Sequence, residues 1–516
     1  MNMGYPNEAC ATSRWARESE MPIVLLTDGT TEPVRREGAL LLNNVLDNKL
    51  MTELKKNSIQ ERVQKEIEQL SQKKRKELAS RERVRLLQLK LYQKAKQEKG
   101  YKFYILYDKI YLEHILEEAY RRCKANGGSP GVDKVTFKQV EEAGREEFLL
   151  EIKEELRKRT YKPQPVRRVW IEKENGGQRP LGIPTIRDRV VQQACKIVIE
   201  PIFEADFDES SYGFRPKRSA KDAITEIKGN LKKGMDTVYD ADLSKYFDTI
   251  PHDKLMVALQ ERIADPRVLN LIKLWLKTSI VEEDGRYTGG KGNTKGTPQG
   301  GVVSPLLANI YMNLIDRIVN RADGYFARRG IKMIRYADDF ILMSRHINQE
   351  VLNRLHSYLE RMELTINKEK SKLLKARESS FDFLGFTMRY DRSVIRKGTR
   401  FWNVMPKAKS RKKIRQKINA RLKEIGHYPA EQVVSELNPI IRGWMNYYEI
   451  KGVSYTQVPF RELNDYLRIR LERYYHRKSQ RKSRLHGQEA YKLLTEQYGL
   501  VVPYVNSGMR PVNAKR

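Results

Sequence analysis

The sequence predicts an α+β fold. Short antiparallel strands and amphipathic helices build its first part, and a helical module follows. Three observations carry this. In Ile334-Arg335-Tyr336-Ala337-Asp338-Asp339-Phe340-Ile341-Leu342, apolar runs flank two adjacent aspartates, the pattern of two strands joined at a bend. Strand-like runs at 169–173 and 178–183 flank Glu174-Asn175-Gly176-Gly177, whose chemistry is that of a hairpin turn. From about Pro406 the pattern becomes basic and helical, with Ile414, Ile418, Leu422 and Ile425 on one apolar stripe.

At 516 residues the chain is long enough for two or more domains. Its 99 Lys and Arg against 66 Asp and Glu leave a net charge of +33. A charge of that size calls for a polyanionic partner, and nucleic acid comes first. A basic structural or ribosome-associated protein would show the same charge. The cysteines, Cys10, Cys123 and Cys195, are isolated and odd in number, with no Cys-x-x-Cys spacing. That argues against a disulfide framework or structural zinc site and points to a reducing compartment. The apolar run at 23–26 is too short for a signal peptide or a membrane span, so a soluble, intracellular chain without a membrane partner is expected.

Residues 1–40 show no period and read as loose. Over 41–91 the chain is highly charged, with Ile59, Val63, Ile67 and Leu70 at helical spacing, which predicts long solvated helices. The run Lys73-Lys74-Arg75-Lys76 suits an RNA contact or a solvated face equally. Near Tyr101 the composition shifts toward a packed domain, and Ser129-Pro130-Gly131-Val132-Asp133 makes a tight turn after a helix from about Leu112. Lys173 and Arg179 flank the first hairpin turn, two cations placed to grip a triphosphate, though alone they are ordinary surface. Thr185, with Asp188 three residues on, opens a helix carrying Val190, Ala194 and Ile197 on one face. Tyr212-Gly213-Phe214-Arg215-Pro216-Lys217-Arg218 interleaves aromatics with cations as strand-binding surfaces do, and Ser219 caps the next helix.

A third carboxylate lies in Val238-Tyr239-Asp240-Ala241-Asp242-Leu243, where alternation buries Tyr239, Ala241 and Leu243 and turns Asp240 and Asp242 the other way. An isolated Asp-Asp pair is usually a polar turn, and one Asp at a strand end is a weak signal. Together, Asp242, Asp338 and Asp339 make a carboxylate set able to hold two Mg²⁺ ions about 3.5–4 Å apart for in-line phosphoryl transfer. Phe247, five residues past Asp242, reads on its own as a core aromatic. In Gly296-Thr297-Pro298-Gln299-Gly300-Gly301 the glycines let backbone approach a base pair closely, where Gln299 can hydrogen-bond. Ser304-Pro305 then reads as an N-cap and first helical residue, ahead of a stripe of Val303, Leu307, Ile310 and Leu314. After the Asp-Asp bend come a helix with Val351, Leu355, Leu359 and Met362 inward, a basic loop from Asn367 to Lys372, and a strand over 381–386. Two further helices are expected at 429–450 and 460–481, the first carrying Trp444, Tyr447 and Tyr448 as core aromatics.

In this order the segments resemble a group II intron-encoded reverse transcriptase/maturase. The likeness rests on Ser129-Pro130-Gly131-Val132-Asp133, Arg179-Pro180-Leu181-Gly182-Ile183-Pro184, Tyr212-Gly213-Phe214-Arg215-Pro216, the Asp242 strand with Phe247-Asp248, and Thr297-Pro298-Gln299-Gly300-Gly301. It continues in Tyr336-Ala337-Asp338-Asp339, Phe383-Leu384-Gly385-Phe386 and Leu437-Asn438-Pro439-Ile440-Ile441-Arg442-Gly443-Trp444-Met445-Asn446-Tyr447-Tyr448. The resemblance implies a right-hand polymerase: fingers and palm over 101–400 and an α-helical thumb/maturase domain over 401–485. A charged, largely helical extension (1–100) and a tail (486–516) complete the chain. It implies Asp242, Asp338 and Asp339 as metal carboxylates, and Phe247 as the residue under the incoming sugar that rejects a 2′-hydroxyl. Lys173 and Arg179 become the triphosphate grip, Gln299 a neighbour of the nascent pair, and Lys370 a proton donor to pyrophosphate.

The implied function is RNA-directed DNA synthesis with binding of the parent group II intron RNA, a DNA target or primer and dNTPs, in a bacterial cytoplasm or nucleoid. A catalytically silent RNA-binding splicing factor and a defence-associated reverse transcriptase are the alternatives. No counterpart of the zinc-supported His-Asn-His endonuclease of many such proteins is expected, since the last part of the sequence holds His476 and His486 but no cysteine.

Overall fold

In the computed structural model, two compact units are each assembled from separated stretches of chain. One takes in the described residues up to Phe207 with Phe214–Lys217 and Lys245–Asn313; the other comprises Asp208–Gly213, Arg218–Ser244 and the described residues from Leu314 onward. The structure describes residues 78–172, 176–393, 397–426 and 428–504. The loose segment 1–40, the spaced apolar residues up to Leu70, the basic run at 73–76 and Lys173 lie outside the described residues. Among the described residues no helix is long and apolar enough to cross a membrane.

The first unit is built round the helix Ile186–Glu204, which Thr185 caps by accepting from the Asp188 amide at 3.1 Å. One buried face was expected. Instead Val190, Val191, Ala194, Cys195, Ile197 and Val198 are all fully buried, because neighbours enclose the helix. Helix Glu113–Asn126 brings the Cys123 thiol within 3.4 Å of the Arg189 carbonyl. The helix over 78–97 donates from Gln88 to the Ile197 carbonyl at 3.0 Å and buries Val84, Leu91 and Ala95, so this part of the charged segment is anchored along one side while most of its residues stay solvated. The unit's sheet runs Gln178–Ile183, Val166–Glu172, Ser279–Val281, Tyr287–Gly289. Its first pair is the antiparallel hairpin foreseen from the turn chemistry, and Pro180 sits on the edge strand, where its missing N–H costs no ladder bond. Val166–Arg167 against Ile280–Val281 is a parallel pairing.

The second unit holds the carboxylates. Its main sheet has the order Lys332–Tyr336, Asp339–Ser344, Thr237–Ala241, Lys372–Lys375, with every neighbour antiparallel. Phe340, Ile341, Leu342 and Met343 are fully buried, so this strand is covered on both faces and reads as a continuous apolar run. Val238, Ile334 and Ile341 pack against Ile224 and Ile227 of helix Ala220–Lys232, whose N-terminus is closed by a Ser219/Asp222 capping box.

A second sheet, Arg400–Pro406, Phe386–Arg392, Phe381–Phe383, departs from expectation. The single strand read over 381–386 breaks into a hairpin at Leu384 (φ +48°) and Gly385 (φ +79°). Two consecutive left-handed residues are what a tight hairpin turn requires. The helices Ala408–Glu424, Ala430–Tyr448 and Gln457–Tyr475 share a core of Ile414, Ile418, Leu422, Leu437, Ile441 and Leu467. Burying each such side chain contributes about 1.5–3 kcal/mol. Tyr448 is buried as expected, whereas Tyr447 stays 37 % exposed and donates to the Leu384 carbonyl at 2.9 Å.

Candidate active site

Register assembles the carboxylate group. Tyr336 pairs with Asp339, leaving Ala337 and Asp338 as a two-residue turn, and Ala241 pairs with Phe340. Continuing that ladder by one residue sets Asp242, just past its strand end, beside Asp339. Asp240, two residues earlier, leaves the strand on the same side as Asp242.

The loop after the next helix clasps Asp242. Asn367 donates its amide to the Asp242 carbonyl at 2.8 Å, and the Asp242 amide donates to the Ser371 hydroxyl at 3.1 Å. The Asn367 side chain accepts from the Glu369 amide at 3.2 Å and shapes the turn that presents Lys370. Lys370 Nζ then lies 3.2 Å from Asp242 Oδ2. Read on its own residues the loop is only basic, and the resemblance singles out Lys370 alone. An Asx turn needs only an Asn with the right neighbours, and that was the available signal for Asn367.

The charges are crowded. Loss of hydration, then repulsion from Asp338, Asp242 and Asp240, pushes the Asp339 carboxyl up to about 7, against the pull of Lys370. Asp339 itself remains exposed, so repulsion is the firmer of the two causes. Asp240 is pushed up to about 6 by burial, then by Asp242 and Asp382, with Lys407 and Lys372 opposing. Sequence reading passed over Asp240 as a member of this group, although its alternation with Asp242 placed it there.

An all-oxygen, mutually repelling donor set suits a hard divalent cation, and Lys370 is the countercharge already present. Among the described residues no three acidic, His or Cys side chains converge as a ready metal cage.

The first unit gathers a different set. Arg179 Nε donates to Gln299 Oε1 at 3.1 Å, and Gln299 Nε2 donates to Asp248 Oδ1 at 2.9 Å. The Gln299 carbonyl accepts from the Gly182 amide at 2.5 Å, pinning the glycine-rich loop to the strand that carries Arg179. Gly300 (φ +107°) must be glycine there, since a Cβ would strike the Gly182 carbonyl. Ser304 is already helical, and its hydroxyl donates to the Pro298 carbonyl at 2.8 Å instead of capping the helix. Phe247 is half-buried, its ring 5.6 Å from Tyr246 and 6.4 Å from Phe214. Arg179, Gln299 and Phe247 with its neighbour Asp248 are thus linked within one unit, while the carboxylates and Lys370 belong to the other.

The aromatic and basic run at 212–218 is not the continuous strand-binding surface expected. Arg215 is buried against Glu204 at 2.8 Å, and Tyr212 is buried with its hydroxyl on Glu226 at 2.5 Å. Both are spent on internal carboxylates, leaving Phe214, Pro216 and Lys217 exposed.

Residues 171–388 match the reverse transcriptase (RNA-dependent DNA polymerase) family. Residues 411–492 match the group II intron maturase-specific domain. Protein YkfC of Escherichia coli (strain K12) is 35 % identical over 322 residues, covering 55 % of this chain and 81 % of YkfC. An uncharacterized 91 kDa protein in the cob intron of Schizosaccharomyces pombe is 27 % identical over 431 residues, 69 % of this chain and 52 % of that protein. The group II intron-encoded protein LtrA of Lactococcus lactis subsp. cremoris is 33 % identical over 270 residues, 52 % of this chain and 42 % of LtrA. The chain thus spans about half the length of the latter two.

Proposed function

This chain belongs to the group II intron-encoded reverse transcriptases that carry a maturase domain, and from that membership we propose that it copies RNA into DNA and binds its parent intron RNA to promote splicing and mobility by target-primed reverse transcription. The observation that carries this reading is the set Asp242, Asp338 and Asp339 gathered at the ends of adjacent strands of one antiparallel sheet, with Lys370 held at Asp242. We assign a right-hand layout: an extension over 1–100, fingers and palm over 101–400, a helical thumb with the maturase role over 401–485, and a tail over 486–516. Cytoplasm or nucleoid is the compartment where such substrates meet.

Asp242, Asp338 and Asp339 would hold two Mg²⁺ ions. When bound, these supply stabilisation of the attacking primer 3′-oxygen and of the leaving pyrophosphate oxygen. The protein's own groups do the rest. Lys370, exposed beside Asp242, donates its proton to pyrophosphate. Arg179, with Lys173, grips the dNTP triphosphate, and Gln299 sits at the nascent pair, its amide oriented by Asp248. Phe247 packs under the sugar. RNA affinity spreads over the basic helical module, where Lys412, Gln416 and Asn419, with Arg411 and Arg415 paired to Glu462, line a cleft of about 500 Å³.

The test is primer extension on an RNA template. Incorporation should require the RNA, a DNA primer and a divalent cation, and should stop with EDTA. Tight intron binding without incorporation would return the chain to the silent splicing factor. The assay also carries a pH prediction. A carboxyl raised to about 7 is protonated below that pH, and the proton competes with the cation. Half-saturating Mg²⁺ should therefore rise by up to about tenfold per pH unit below 7 and level off above it. A flat requirement from pH 6 to 8 would remove Asp339 from the metal set.

Phe247→Ala should relax sugar selection. Removing the ring opens the space where a 2′-hydroxyl would fall, so extension with rNTPs should rise relative to dNTPs. Unchanged selectivity would leave Phe247 as a packing residue for Tyr246 and Phe214.

A further inference from the structure

Beneath the Asp-Asp turn lies a buried cation with no part in the chemistry above. Arg335 is 1 % exposed and heads the largest fully buried side chains. Its Nε and Nη2 reach both oxygens of Asp316 at 2.6–3.0 Å, and Asp316 is itself 1 % exposed. Nη2 also donates to the Ser211 hydroxyl at 2.6 Å, and Nη1 donates to the carbonyl of Ala337 at 2.7 Å. Backbone bonds support the same strand, from the Arg335 amide to the Ser210 carbonyl at 2.8 Å and from the Tyr212 amide to the Arg335 carbonyl at 2.9 Å. At Gly213 a Cβ would collide with the Ala337 nitrogen, so the segment that binds Arg335 also backs the turn.

Ala337 stands at φ +59°, a left-handed conformation that an alanine keeps only where its surroundings impose it. Its carbonyl is the group the guanidinium holds, and the next two residues are Asp338 and Asp339. Only arginine offers a fork able to satisfy a bidentate carboxylate, a hydroxyl and a carbonyl together. A buried ion pair is poor evidence for stability, since apolar replacements often serve as well. A demand for geometry explains this one better.

We propose that Arg335 is a positioning residue for the Asp338-Asp339 pair: by holding the Ala337 carbonyl, with Asp316 and Ser211 fixing the guanidinium, it keeps the turn in the conformation that aims the two carboxylates. This rests on the reading of Asp338 and Asp339 as the reacting carboxylates.

The experiment compares Arg335→Lys, Ser211→Ala, Arg335→Lys with Ala337→Gly, and Asp338→Asn in the full chain. Each is measured by primer extension at saturating template, with intron RNA binding and thermal melting alongside. Displacing the turn by a fraction of an ångström should lower kcat roughly 10- to 100-fold in Arg335→Lys, with KM for dNTP nearly unchanged. Adding Ala337→Gly should recover a good part of that loss, because glycine takes a positive φ without a clamp. A merely structural role predicts no such rescue. If Arg335→Lys does not fold, Ser211→Ala carries the test, with kcat expected to fall several-fold at a melting point close to wild type. Wild-type kcat in a folded Arg335→Lys or in Ser211→Ala overturns the proposal, as does loss of activity that only tracks loss of folded protein without rescue. Activity in Asp338→Asn would instead sink the carboxylate reading beneath it.

Discussion

Asp338→Ala is expected to abolish dNTP incorporation, on the order of 10³-fold or more, while intron RNA binding stays within a few-fold of wild type. Asp338 is in the two-residue turn, outside the paired strand residues, so its removal breaks no ladder. It does remove one of the charges that repel Asp339. The Asp339 carboxyl should then fall back toward the ordinary range, and the melting temperature should hold or rise slightly. That combination, dead chemistry in a protein at least as stable, is hard to obtain from general damage. RNA affinity comes from many dispersed cations, and a single acidic residue in one small patch should barely change it. An active Asp338→Ala enzyme would sink the metal assignment.

Features with a local cause were legible in the sequence. The antiparallel pairing of Val166–Glu172 with Gln178–Ile183 follows from the turn chemistry between them, and the exit of Asp240 and Asp242 on one side follows from the two-residue period. What escaped depends on partners distant in sequence. Arg335 and Asp316 are buried charges in a strand and a helix, but nothing local says that two such charges, 19 residues apart, meet. Tyr212 and Arg215 look like a nucleic-acid surface until Glu226 and Glu204 claim them. Leu384 falls in a segment whose aromatics read as one strand, and only the pairing of Phe386 with Phe383 reveals the turn, where leucine takes a positive φ that it rarely adopts. The division into units was hidden for another reason: the chain enters each unit three times, and no composition shift marks the returns at Phe214, Arg218, Lys245 and Leu314. In the active site the residue types were evident, whereas Asn367 and Ser371 act through backbone groups of Asp242, which no spacing rule exposes.

Phe386→Ala should have the largest effect on folding, in contrast to Asp338→Ala. Phe386 is fully buried at the start of its strand, in register with both Phe383 and Pro406, so it joins all three strands of the second sheet. Its ring lies 4.9 Å from Tyr448 and stacks at 5.7 Å on Tyr447, both from helix Ala430–Tyr448. The same apolar cluster includes Val238 of the Asp242 strand and Ile334 and Ile341 on either side of the Asp-Asp turn. Truncation to alanine leaves a ring-sized void among groups that cannot all move to fill it, at a cost of about 3–5 kcal/mol. Against the marginal stability of a domain that is a large fraction, worth roughly 6–20 °C in melting temperature for a unit of this size. Phe386→Leu keeps most of the volume and should cost less than half as much. Because one cluster supports both the carboxylate sheet and the helical module, polymerase activity and intron binding should fail together as temperature rises. Thermal melting monitored with both assays reads this directly. If Phe386→Ala melts within 2 °C of wild type, or if binding outlasts incorporation by a wide margin, the shared core is not what holds these two functions in one unit.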